Sequence, residues 1–187
     1  MRKLVAGLFI TFDGVIEAPG PKDLPPFEFA GWSLPYFNDE VGAHIGAQTA
    51  ASDALLLGRR TYETFEATFA NANDPQSEGM SNFPKYVVSK TLQAPTWKNT
   101  TLISGDVIEE VTKLKQQAGK DIAVSGSGTL LQTLMQANLV DEFSLLVHPI
   151  VLGKGKKLFN DYRADFALND AKPTSTGVVI MTYALKR

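Results

Sequence analysis

The chain has 187 residues, 44% of them apolar, a length and content that suit a single packed domain. Its 18 basic and 20 acidic side chains leave a formal net charge of -2, so there is no long-range field to attract nucleic acid or an anionic membrane. Cysteine is absent, which excludes disulfides, zinc–thiolate centres and thiol nucleophiles and fits a reducing cytoplasm.

Leu4 to Phe12 is apolar and β-favouring and predicts a buried central strand. It is too short to span a membrane, and Asp13 ends it before any cleavage-like site, so it reads as a strand and not a signal peptide. Gly14 to Pro35 is a long loop broken by Pro19-Gly20-Pro21 and Pro25-Pro26, and a loop of that length in a compact domain usually carries function. A helix is expected over Tyr36–Ser52 with Phe37, Val41, Ile45 and Thr49 on its apolar face. Ala54–Leu57 is a short buried strand stopped by Gly58, and a helix starts near Thr61. Asn71–Asn82 is polar and is expected as an exposed loop.

Strands follow at Lys85–Ser89 and Thr100–Ile103. Asp106, with Glu109 three residues on, caps a helix whose buried stripe is Ile108, Val111, Leu114 and Ala118. Asp121–Val124 is a strand turned by Ser125-Gly126-Ser127-Gly128 into a helix over Thr129–Ala137. Glu142–His148 is a strand closed by Pro149, and Ala167–Thr174 with Val178–Leu185 forms a last antiparallel hairpin around Gly177. Alternating strand and helix predicts a mostly parallel α/β sheet, here with an antiparallel end.

Four segments carry candidate chemistry. Ser125-Gly126-Ser127-Gly128-Thr129 sits between a strand and a helix, where backbone N–H groups and the helix dipole favour a phosphate. The same glycines also suit a tight turn with no ligand. Gly58-Arg59-Arg60-Thr61 repeats the strand-to-helix setting, with Arg able to hold a phosphate bidentately and Thr61 able to bond its oxygen or cap the helix. Ser89-Lys90-Thr91 ends another strand, and either receives a further phosphate or forms a polar turn. Asp13, at the exit of the first strand, lies where α/β sheets bind ligands, although Asp-Gly is also a routine turn pair. Trp32 and Tyr36 can stack on a flat ring or simply pack. Lys154, Lys156 and Lys157 form a solvated loop or a basic lip for an anionic substrate. His44 and His148 lack the spacing of a metal pair, so no metal site is expected.

The ordered set Thr11-Phe12-Asp13-Gly14, Trp32, Leu57 to Glu63, Tyr86 to Leu92, Gly126 to Leu130, Leu139 to Phe143 and Pro149 to Gly155 resembles the family joining dihydrofolate reductase to the pyrimidine reductase domain of riboflavin biosynthesis. The resemblance covers nearly the whole chain and lies nearer the riboflavin branch. It implies an α/β, three-layer α-β-α fold with a dihydrofolate reductase-like mixed sheet, its parallel core ending in a C-terminal antiparallel hairpin. It further implies a stand-alone cytoplasmic reductase domain, since no deaminase motif is present. Such a domain binds NADPH, acts on a small heterocyclic substrate and forms a homodimer.

By the same resemblance, Gly58, Arg59 and Thr61 face the adenosine half and pyrophosphate, and Ser89 and Lys90 the ribose phosphate. Gly126, Ser127, Gly128, Thr129, Leu130 and Leu131 cradle the pyrophosphate from the other side. Ile10 and Trp32 lie near the nicotinamide, Trp32 and Tyr36 near the substrate. Asp13 is the candidate proton donor, with bound water as the alternative. The riboflavin-type enzymes usually carry an acid that helps hold the ribosylamino-pyrimidine where this chain has Ser125, so both a pyrimidine of that kind and a pterin or dihydrofolate stand as expected substrates. A rival expectation is a nucleotide-binding regulatory module without catalysis.

Overall fold

The β-favouring runs form the strands of a single sheet in the computed structural model, which describes residues 1–20 and 26–186; the breakers Pro21 and Pro25 lie outside the described residues. The strands are β1 (Leu4–Thr11), β2 (Ser52–Gly58), β3 (Lys85–Val88), β4 (Thr100–Ile103), β5 (Asp121–Val124), β6 (Glu142–His148), β7 (Phe166–Pro173) and β8 (Val179–Leu185). Their spatial order is β4-β3-β2-β5-β1-β6-β8-β7. Every pair from β4 to β6 is parallel, while β8 is antiparallel to both β6 and β7. Gly177, at φ +85°, takes the left-handed position in the β7–β8 turn.

Helices α1 (Asp39–Ala51), α2 (Arg59–Phe69) and α3 (Pro75–Asn82) cover one face, and α4 (Val107–Gln116) and α5 (Gly128–Gln136) the other. Alternation along the strands separates the two cores. Ala54 and Leu56 of β2 join the α4–α5 side with Leu114 and Leu131, while Leu55 and Leu57 join Tyr62, Val87 and Trp97 under α2 and α3. Val41 of α1 packs on Leu146 and Ile180. This is the three-layer dihydrofolate reductase-like arrangement that the sequence resemblance implies. Among the described residues no helix is long and apolar enough to cross a membrane.

Three local expectations are corrected. The expected loop Asn71–Asn82 contains α3: the Asp74 side chain accepts the Ser77 amide at 3.0 Å and Pro75 occupies the first turn, a start signal within an otherwise polar run. The expected helix Tyr36–Ser52 is shorter, because Asn38 caps Val41 at 3.0 Å and a short 3-10 turn (Leu34–Tyr36) precedes it. Phe37 and Thr49 are therefore exposed and only Val41 is fully buried. In α4 the buried face is Val111, Leu114 and Lys115; Ile108 and Ala118 are exposed. Lys115 counts as apolar surface here because its stem lies in the core while its ammonium bonds Asp141 at 2.5 Å.

Lys85 ties α3 to the start of β3. Its fully buried ammonium donates to the Met80, Ser81 and Phe83 carbonyls at 2.9, 3.1 and 2.6 Å and lies 4.2 Å over the Trp97 ring. Burial, with help from Lys98, pulls its pKa down to about 8. The unfolded chain thus binds this proton more tightly between pH 8 and the ordinary value of 10.5, so the group's contribution to stability rises across that window. Lys85→Ala, which leaves three carbonyls without their donor, is expected to lose about 3 kcal/mol of unfolding free energy at pH 7. Denaturant titration at neutral and alkaline pH reads both the loss and the absence of that rise.

Candidate active site

β5 stops short of both its neighbours. β1 pairs with β5 only through Ala6 and Val124 but continues beside β6 as far as Thr11 and His148. On the other side β2 leaves β5 at Leu56 yet stays paired with β3 to Gly58. A crevice is left at the carboxyl edge of the sheet, and the Ser125–Gly128 turn forms its floor. This is where open α/β sheets take ligands.

Glycine lets the walls close onto that floor. A Cβ on Gly58 would stand 2.3 Å from Ser127 Oγ and 3.0 Å from its Cβ, so the β2 and β5 exits touch only because Gly58 has no side chain. Gly126, at φ +81°, leaves 3.1 Å to Thr61 Oγ1 for such an atom, and Gly128 leaves 3.2 Å to Ile16 on the β1 exit loop. The Gly58 amide also faces the Gly126 carbonyl at 3.4 Å. The Gly126–Ser127 peptide is cis.

Both helices that begin here lack a side-chain cap. Asn38, Asp74 and Asp106 each accept a first-turn amide of α1, α3 and α4, whereas neither Gly58 nor Ser127 does so for α2 and α5. Such a cap is worth about 1 kcal/mol. The Arg60 and Thr61 amides of α2 and the Gly128, Thr129 and Leu130 amides of α5 therefore stand at two positive helix ends without a side-chain cap among the described residues. Leu131 belongs to the helix proper: its amide donates to Ser127 O at 3.0 Å and its side chain is fully buried.

The remaining expected residues divide. The Arg59 guanidinium lies on Glu63 at 2.8 Å, exposed beside the crevice. Ser89 is buried and its hydroxyl accepts the Thr91 and Leu92 amides at 3.1 and 2.9 Å, so it builds the turn after β3; Lys90 beside it is exposed. Ile10 is buried on the α5 side of β1. Trp32 and Tyr36 meet at the β6 exit, where both rings stand edge-on to His148, at 5.0 and 5.7 Å.

His148 was legible only as a strand end. It is fully buried, with Phe9 as a third aromatic neighbour at 5.3 Å. Its Nδ1 lies 2.8 Å from Leu146 O, and its Nε2 has no hydrogen-bond partner among the described residues. Burial holds the imidazole below its ordinary pKa, against the pull of the Leu146 and Ile10 carbonyls, so it is neutral at pH 7.

Asp13 joins two loops. Its carboxylate accepts from Thr11 Oγ1 at 2.6 Å and from the Gly153 and Leu152 amides at 2.9 and 3.3 Å. The Thr11 hydroxyl is the chief cause of a pKa below the ordinary carboxylate value, and the two amides add to it. Glu17 adds to this latch: it takes the Lys156 amide at 3.0 Å and its ammonium at 2.7 Å, while its carbonyl takes Trp32 Nε1 at 2.7 Å. Lys154 pairs with Glu28. The basic loop is thus bound to the loop after β1, and two of its lysines are neutralised there. Glu17 and Glu28 carried no signal in the sequence, because their partners lie about 130 positions away.

Comparison with known proteins fits this arrangement. The RibD C-terminal domain family model matches residues 2–181. Protein YyaP of Bacillus subtilis is 31% identical over 189 residues, which cover 97% of this chain and 94% of that protein. A riboflavin biosynthesis protein from Shewanella sp. PV-4 superposes with a TM-score of 0.80 at 20% identity over 100% of both chains. Dihydrofolate reductase from Enterococcus faecalis, solved with NADP(H) and RAB-propyl, superposes with a TM-score of 0.62 at 16% identity over 99% of this chain and 97% of that one. These two likenesses establish the shared fold. With nearly its whole length matched, this chain belongs to the RibD C-terminal domain family.

Proposed function

We propose that the protein is an NADPH-dependent reductase that delivers a hydride to a C=N or C=O bond of a small heterocycle, a pyrimidine or a pterin. The observation that carries this reading is the pair of uncapped helix ends, α2 and α5, brought into contact through Gly58 and Ser127 over the short strand β5. A dinucleotide pyrophosphate is the ligand that such a pair of ends fits: two sets of uncapped first-turn amides, two positive dipole ends and no side chain on Gly58 to hold them apart. When bound, NADPH supplies the hydride; the chain supplies position and electrostatics.

On this reading each residue at the crevice has a role. The Arg60–Thr61 and Gly128–Leu130 amides hold the pyrophosphate. Arg59 swings from Glu63 onto a phosphate, since that exposed pair is worth under about 1 kcal/mol. Lys90 meets the ribose phosphate from a turn that Ser89 shapes. Ile10 and Trp32 border the nicotinamide end, and Tyr36 with Trp32 forms an uncharged wall for a flat substrate. Asp13 is a poor proton donor, because its low pKa keeps it ionised. We assign it the positioning of the Pro149–Lys157 loop, and water the delivery of the proton.

Two outcomes test these assignments. Gly58→Ala is expected to weaken NADPH binding at least tenfold by calorimetry, with the fold intact by circular dichroism, and Ser127→Gly in the same chain is expected to recover most of the loss. Wild-type affinity in Gly58→Ala would remove the two-ended site. Asp13→Asn is expected to lower kcat while the pH–rate profile between pH 5 and 8 keeps its shape, because the wild-type carboxylate stays ionised throughout that range. A limb that disappears in the variant would return proton transfer to Asp13. Assays of NADPH oxidation across pyrimidines and pterins then identify the substrate.

A further inference from the structure

The molecule has a second concavity, remote from the crevice. It encloses about 340 Å³, within the size range of small-molecule sites. Its floor is Phe143 and Leu145 of β6 with Tyr183 of β8, and its wall is the segment leading into β7, through Phe159, Tyr162 and Ala164. Phe143 lies five residues before His148 on β6, roughly 16 Å from the carboxyl edge at the rise of a strand. The pocket therefore opens on the amino half of the sheet, on the α4–α5 side and beyond α5.

Its chemistry is narrow. No lining residue carries a charge. Phe143 meets Phe159 and Phe166 edge-on at 5.8 and 5.5 Å, which turns ring edges and faces toward the space. Two lining residues are tyrosines with little for their hydroxyls to bond. Tyr183 Oη reaches only the Met181 sulfur at 3.7 Å, and Tyr162 Oη has no hydrogen-bond partner among the described residues. An aromatic, uncharged lining suits a flat, neutral, apolar guest. Anions and cations would enter without a counter-charge.

We infer that this pocket is a second binding site, for a neutral multi-ring aromatic small molecule, separate from the cofactor crevice. The segment that walls it continues from the Pro149–Lys157 loop through Leu158, which is fully buried and whose amide donates to Gly14 O at 3.0 Å. One stretch of chain thus borders both sites, while their openings are distinct.

The test uses N-phenyl-1-naphthylamine, a neutral aromatic dye that brightens in apolar sites, with the full chain, first alone and then at saturating NADPH. Saturable binding at one site per chain is expected, weakened at least tenfold in Ala164→Trp, whose indole fills the space. Ala164→Leu serves in the same role if the tryptophan variant fails to fold by circular dichroism. Three results overturn the inference: no saturable binding, binding that the filling variants leave unchanged, or displacement of the dye by NADPH. A dimer by sedimentation that Ala164→Trp converts to monomer also overturns it, since a second copy of the chain would then occupy the pocket. NADPH affinity, measured by calorimetry without the dye, tests the reductase reading, so failure of the pocket and failure of that reading are distinguishable.

Discussion

β5 is four residues long and sits between two longer strands, and most of what the molecule presents at its carboxyl edge depends on that difference. A parallel strand that ends early leaves its neighbours projecting past it. Here the space is floored by a turn rich in glycine and serine, and a side chain on either Gly58 or Gly126 would press on the opposite wall. Two helix starts are thereby held in contact. Strand length, a residue without a Cβ, and the helix dipole act together on one small volume. Each is ordinary alone, and here the three coincide in one crevice.

The distribution of caps is the energetic counterpart. Helices α1, α3 and α4 each begin with an Asn or Asp that satisfies a first-turn amide. The two that start at the crevice forgo about 1 kcal/mol each of capping. In a domain whose net stability is of order 10 kcal/mol, that omission is affordable but not negligible. A phosphate held there would supply those bonds as charge-assisted ones. On the opposite wall, Asp13 and Glu17 fix the loop after β6 against the loop after β1 and hold Trp32 by its indole N–H. Rigidity on one side and open amides on the other suit a site that orients a long ligand and leaves the chemistry to it.

Much of this was legible in the sequence, for identifiable reasons. Strands such as Glu142–His148 and Asp121–Val124 are near-continuous apolar runs bounded by Pro, Gly or Ser, and the structure places them at those residues. The two strand-to-helix glycine turns were legible because backbone geometry demands Gly there whatever the partner. α3 was hidden because its composition is polar and its start signal, Asp74-Pro75, sits among residues that favour loops. The Asp13–Gly153 and Glu17–Lys156 contacts were hidden because nothing local encodes them: each joins residues about 140 positions apart. Ser89 shows the converse limit. Its hydroxyl was a candidate phosphate ligand by position, yet it closes its own turn.

The central claim is that the uncapped first-turn amides of α2 and α5 receive the pyrophosphate of NADPH. A titration of isotope-labelled protein with NADPH, followed by amide NMR, tests it most directly. The account predicts that Arg60, Thr61, Gly128, Thr129 and Leu130 shift together and saturate with a single affinity, tighter than that for NADH. Absence of binding, or shifts confined to residues away from the β2 and β5 exits, would contradict it, and the two glycine turns would then be features of the fold alone.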